Sequence, residues 1–155
     1  MKREQIREFI KDLKEEIVFF LFEEKELEEI IPFFELRHFP ANNVVFREGE
    51  VGDFICFILS GKLEVKKETE FKGNQIILAI LGKGSLVGEL SLFDKYYRSA
   101  TVEAVEDSLL LMLKNSALDA LIEQYPKAGI KLLKGFIRVL SLRLRKVTER
   151  LTTIF

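Results

Sequence analysis

The sequence is poor in several things, and each scarcity excludes a class of function. One cysteine, Cys56, in 155 residues leaves no internal disulfide to form and suits a reducing cytoplasm. One histidine, His38, excludes most His-built metal centres and His-based catalytic arrangements. No apolar run exceeds six residues (Ile17 to Phe22), too short for a membrane span. The N-terminus alternates charges from Lys2 to Glu8, which argues against a secretory leader. Neither sign of charge dominates: 24 Lys and Arg face 25 Asp and Glu, and a net charge of −1 is not that of a general nucleic-acid binder. The rest of the composition, 48% apolar and 32% charged, is the balance of a soluble globular chain. Its length predicts one domain, residues 1–155, with its own core. The composition points to a binding module rather than an enzyme.

Seven of the nine glycines fall between residues 49 and 88, and the flanks are nearly glycine-free. The expected order is helical, then turn-rich, then helical again. Residues 1–35 are read as N-terminal helices, with Ile6, Phe9, Ile10, Leu13 and Ile17 at helical spacing through residues 2–20. Residues 36–115 are read as a β-roll. Val44–Phe46, Phe54–Leu59, Lys62–Lys66, Ile76–Leu81, Ala100–Val105 and Leu109–Leu113 are its short strands. Ser60-Gly61 reads as a two-residue hairpin connection and Gly73-Asn74 as a second turn. Residues 116–155 are read as C-terminal helices, one short (Leu118–Gln124) and one long (about 127–151) opened by Pro126. The expected fold class is α+β with a mainly β core: a double-stranded β-helix or jelly-roll barrel, flanked by N-terminal helices and a long C-terminal helix. His38 reads as a strand residue near the start of the roll, and Cys56 as a small buried hydrophobe. The fourteen phenylalanines read as core packing, or, on the N-terminal helix, as a protein-docking surface.

The long helix carries Ile130, Leu133, Ile137, Leu140, Leu144, Val147, Leu151 and Ile154 at alternating steps of three and four, the period of a coiled-coil seam. The seam meets a partner copy, or the helix lies on its own domain. Charge is segregated as well. Residues 1–35 hold six basic and eleven acidic side chains, and residues 127–150 hold eight basic ones and only Glu149. Either two solvated helical faces attract each other, or the basic helix faces an anionic ligand or partner.

The segment Gly82-Lys83-Gly84-Ser85-Leu86-Val87-Gly88 is not a dinucleotide fingerprint, because valine stands where the third glycine of G-x-G-x-x-G would precede a helix, and no G-K-[ST] triplet is present. The next stretch is more specific. Gly88-Glu89-Leu90-Ser91-Leu92-Phe93 leads to Arg98-Ser99-Ala100-Thr101-Val102. This set suits a cyclic phosphodiester. Arg98 offers a permanently charged fork for phosphate oxygens, and Ser99 adds a hydroxyl. The small Ala100 lets backbone N–H groups approach an anion. Glu89 can accept from a ribose 2′-OH, and Gly88 lets the backbone come close to the sugar. The plain alternative is a surface Glu–Arg ion pair.

These residues resemble the phosphate-binding cassette of the cyclic nucleotide-binding domain family, of the catabolite-activator type. The resemblance extends over roughly residues 20–150. It takes in Val45-Phe46-Arg47-Glu48-Gly49-Glu50, Gly52-Asp53-Phe54, Ser60-Gly61-Lys62-Leu63-Glu64-Val65 and Glu106-Asp107-Ser108-Leu109-Leu110. It implies a cassette over residues 88–102, with Gly88 and Glu89 on the ribose, Arg98 and Ser99 on the cyclic phosphate, the Ala100 amide nearby and a backbone contact from Leu90. The long helix would serve as a lid over the base and as a dimer seam. Where the catabolite activator reads adenine with a Thr-Ser pair on this helix, Arg143-Leu144 is aligned, so Arg143 would stack on the purine face. Val87 stands where the family commonly has an aromatic residue. Ser99 is compatible with cAMP or cGMP.

The expectation is a stand-alone cytoplasmic sensor of cAMP or cGMP, with no cofactor, no metal and no enzymatic activity. It acts in signal transduction by moving its C-terminal helix. Its partners would be the nucleotide, a second copy through the C-terminal helix, and an effector protein. DNA-binding members continue with a helix-turn-helix. This sequence ends at Phe155, so no direct DNA binding is expected. The alternative is a cyclic-nucleotide-independent structural or interaction module of the same fold. A cupin-like metalloenzyme, also a jelly roll, would need more histidines than His38.

Overall fold

The apolar runs 54–59 and 109–113 show no alternation because each is covered on both faces, by helices on one side and a second sheet on the other. The computed structural model describes residues 2–13, 18–71, 73–91 and 97–154. Its elements are α1 (Lys2–Asp12), α2 (Glu24–Ile30), a short 3-10 turn (Ile31–Phe33), β1 (Glu35–Phe39), β2 (Val44–Phe46), β3 (Phe54–Ser60), β4 (Leu63–Glu68), β5 (Gln75–Leu81), β6 (Leu86–Val87), β7 (Thr101–Ala104), β8 (Ser108–Lys114), α3 (Asn115–Gln124) and α4 (Pro126–Ile154). Two four-stranded sheets face each other, ordered β1-β8-β3-β6 and β2-β7-β4-β5, and their named pairings are all antiparallel. The expected jelly roll with flanking helices is the fold observed.

Two cores result. In β3, Ile55, Phe57 and Leu59 pack toward the helices, while Cys56 and Ile58 pack between the sheets. In β8, Leu111 and Leu113 take the helical side, and Leu110 and Met112 the inter-sheet side. Phe19, Phe22, Phe34, Phe57 and Phe136 fill the helical core, whereas Phe20 and Phe71 are exposed. Cys56 is wholly buried, and burial pushes its thiol up to about 12. His38 lies exposed in β1, opposite Leu109.

Two expectations are corrected. Helical spacing over residues 2–20 predicted a continuous helix, yet α1 ends at Asp12 and Val18–Leu21 form a turn. The apolar density there serves tertiary packing: Val18 and Phe19 are buried, and the Val18 backbone lies against Gly135 of α4, where an added Cβ would come within 2.8 Å of the Val18 carbonyl. The Ser60-Gly61 connection is not a hairpin, because β3 and β4 lie in different sheets. β3 already has β8 and β6 on its two sides, so the chain crosses to the facing sheet. Gly61, at φ 95°, makes that crossing against Ser108 and the Asp107 carbonyl, which leave no room for a Cβ. Gly73-Asn74 does close a hairpin, between β4 and β5. Ile17, Leu92 and Phe93 lie outside the described residues, as does the side chain of Ile154.

Candidate functional site

The cassette begins on β6, where Val87 pairs with Cys56 and Leu86 with Phe57. Gly88 then turns the chain at φ 87°, a region that an L side chain rarely enters. The turn also needs the space of the missing side chain: a Cβ at Gly88 would stand 2.7 Å from Arg98 Nη1 and 3.2 Å from the Phe54 carbonyl oxygen. It delivers Glu89 into a buried position and leaves Leu90 exposed.

The loop after β2 holds the other limb. The Arg98 N–H donates to the Glu50 carbonyl at 2.6 Å, and the Gly49 N–H donates to the Arg98 carbonyl at 2.9 Å. The Arg98 side chain is 3% exposed. Its Nη1 donates to the Gly88 carbonyl (3.1 Å) and its Nη2 to the Phe54 carbonyl (2.7 Å), which locks the two limbs together. The guanidinium carbon lies 3.9 Å from the Phe46 ring centroid and 4.7 Å from that of Phe54. Stacking of this kind contributes about 0.5–2 kcal/mol. Burial lowers the Arg98 pKa from its ordinary value, but an arginine remains charged. Arg98 Nε is buried and has no hydrogen-bond partner among the described residues. A desolvated cation with an unpaired donor favours an anion beside it.

Ser99 is exposed and Ala100 is buried, and both line the cavity. Lys67 of β4 donates to the Ser99 carbonyl at 2.8 Å. Arg143 reaches in from α4. Its Nη1 pairs with Glu89 Oε1, and its Nη2 donates to the Leu86 carbonyl. Arg143 therefore stands on the carboxylate expected to hold a sugar. These groups surround a cavity of about 550 Å³, within the size range of small-molecule sites. One wall is β5, from Leu78 to Leu81, and another is the α4 face carrying Arg143, Lys146, Val147 and Arg150. Among the described lining residues four side chains are cationic and only Glu89 is anionic, so the cavity suits a negatively charged guest. Among the described residues no group of His, Cys, Asp and Glu is arranged to hold a metal ion.

The structure thus gathers Gly88, Glu89, Leu90, Arg98, Ser99, Ala100 and Arg143 around one cavity. Sequence reasoning missed Phe46, Phe54, Lys67, Lys146 and Arg150. The last two follow Arg143 at helical spacing, a signal that was there to be read. The phenylalanines and Lys67 come from strands remote in sequence, and no local pattern announces them.

Comparison with known proteins gives a consistent picture. A family model for the cyclic nucleotide-binding domain matches residues 36–125. The cyclic AMP receptor protein of Thermus thermophilus is 36% identical over 102 residues, which is 66% of this chain and 47% of that protein. The CRP-like cAMP-activated global transcriptional regulator of Mycobacterium tuberculosis is 32% identical over 116 residues, 75% of this chain and 50% of that one. The chain spans about half the length of these curated relatives. Among solved structures, a cyclic nucleotide-binding domain from Methylobacillus flagellatus superposes with a TM-score of 0.86 at 25% identity, covering 99% of this chain and 85% of the other. The Thermus thermophilus catabolite activator protein superposes with a TM-score of 0.76 at 31% identity, covering 89% and 62%.

Proposed function

The chain belongs to the cyclic nucleotide-binding domain family, and from that premise we propose that it is a regulatory sensor that takes cAMP or cGMP into the cavity above Arg98. The observation that carries the reading is the buried, charged Arg98 guanidinium in the lining of a cavity whose other described charged side chains are mostly cationic. A cyclic phosphate supplies the anion that this group lacks, with the Ser99 hydroxyl and the Ala100 N–H as further donors. Glu89 accepts from the ribose 2′-OH, Gly88 allows the close approach, and Leu90 adds a backbone contact. The base lies against the apolar β5 wall and the α4 face, within reach of Arg143. The chain is a binding module and takes no catalytic step. No helix among the described residues is long and apolar enough to cross a membrane. With its single buried thiol, we assign it to the cytoplasm.

The sugar and Arg143 address the same carboxylate. Nucleotide binding then redistributes the Glu89–Arg143 bond and with it the position of α4, which changes the surface offered to an effector protein. This is a population shift, and its size is set by the ligand's preference for one helix position. We further propose a homodimer through α4, with its basic face assigned to the cavity and the seam rather than to DNA. Ile130, Ile137, Leu144, Val147 and Leu151 of the seam are at least half exposed on their own domain.

A second reading, a nucleotide-independent interaction module, is favoured by the Arg143–Glu89 pair, which already satisfies the carboxylate. Calorimetry with cAMP and with cGMP separates the two. Binding by the native chain and none by Arg98→Ala is expected. No heat with either nucleotide would leave the interaction module standing.

A further inference from the structure

We propose that Lys67, on β4 and outside the cavity lining, is a positioning residue that aims the Ala100 N–H at the ligand phosphate. The inference rests on the cyclic nucleotide reading of the site.

Lys67 Nζ stands 2.8 Å from the Ser99 carbonyl oxygen and 3.3 Å from Glu48 Oε1. The described chain has no cis peptide bond. In a planar trans peptide the carbonyl and the following N–H point in opposite directions. A cation that fixes the Ser99 carbonyl on the outer side therefore fixes the Ala100 N–H on the inner side. The burial pattern agrees, with Ser99 exposed and Ala100 buried against the cavity. The limb is braced again one residue on, where the Glu48 N–H donates to Thr101 Oγ1 at 3.0 Å. Lys67 and Glu48 thus hold the chain on either side of Ala100, at the Ser99 carbonyl and the Thr101 hydroxyl. The ammonium also polarises the peptide it binds, which makes the Ala100 N–H a stronger donor.

Stability alone does not account for this arrangement. Lys67 is half exposed, and its ion pair with Glu48 belongs to the class that adds little to folding. Strand alternation directs the neighbouring Lys66 elsewhere, to Glu64 and Glu103, so Lys67 is the β4 lysine that reaches the cassette.

The test compares the native chain with Lys67→Met, which keeps the stem, and Lys67→Arg, which keeps the charge. Binding of cAMP and of the Rp and Sp phosphorothioate analogues is measured by calorimetry, and ligand-free unfolding by thermal melting. Loss of one aimed donor should weaken cAMP about tenfold in Lys67→Met. Because a single N–H addresses one non-bridging oxygen, the Rp/Sp affinity ratio should also move toward unity. Lys67→Arg should restore both, and the melting midpoint should change little. An unchanged ratio overturns the proposal even if affinity falls, since a general electrostatic or merely structural role weakens both diastereomers alike. If the native chain binds no cyclic nucleotide, the functional reading fails first, and that outcome is told apart by the native control.

Discussion

At the scale of single residues, the cassette depends on what Gly88 lacks. Its φ of 87° and the nearness of Arg98 Nη1 are two separate demands. Gly73 has nearly the same φ, 89°, but nothing lies within 4 Å of the place a Cβ would take, so it isolates the backbone demand. Gly73→Ala should cost about 1 kcal/mol, the strain of a left-handed alanine. Gly88→Ala should cost about 2–3 kcal/mol, because Arg98 must also give way. Denaturant unfolding of the two variants checks the difference, and equal losses would refute the steric part. Gly88, Glu89 and Arg98 were legible because they stand together in one short ordered motif. The rings of Phe46 and Phe54 around Arg98 were not, since they stand 52 and 44 residues before it in the chain.

At the scale of elements, α4 is two helices in one. Its first half is anchored: Ala128, Leu132 and Phe136 are buried, and Gly129 and Gly135 lie against Ile122 and Val18 so closely that a Cβ would meet backbone atoms at 2.9 Å. Its second half is largely exposed, with Leu144 at 67% and Leu151 at 53%. The heptad spacing was plain in the sequence. The N-terminal spacing misled because a periodic apolar pattern cannot distinguish a helix from a turn wedged into a core. Replacing both Leu144 and Leu151 by glutamate should turn the proposed dimer into a monomer in sedimentation velocity. The melting midpoint of the domain itself should hold, because neither side chain packs in its core. A variant that remains dimeric would move the interface off this seam.

At the scale of the whole molecule, the near-zero net charge averages an acidic front over a basic final helix, and the two ends meet. Lys131 of α4 pairs at 2.5 Å with Glu26 of α2, whose side chain is buried. Burial pushes the Glu26 carboxyl up, but the bonds from Lys131 and from the Glu23 N–H outweigh it and leave the pKa below its ordinary 4.5. A depressed carboxylate adds stability that is present above pH 4.5 and is lost as pH falls through the lower folded value. The native chain should therefore lose stability faster than Glu26→Gln below that pH, in denaturant titrations run from pH 6 downward; parallel slopes would refute the linkage. The charge segregation was visible in the sequence, but which lysine meets which glutamate was not. Six of the eight described strands were legible one by one, whereas β1 was marked only by His38 and the two-residue β6 not at all. The assignment of the strands to two sheets was not legible, because crossing and hairpin connections share the same turn residues, as Ser60-Gly61 shows. The pairing of β1 with β8, Glu35 opposite Met112 and Phe39 opposite Ser108, has a consequence for the chain as it is made. At about 5–20 residues per second, the ribosome needs roughly 4–15 s after releasing β1 to synthesise the strand that covers it. For that interval β1 has no partner from its own sheet, and the nascent roll must keep an open edge from meeting its neighbours until β8 arrives.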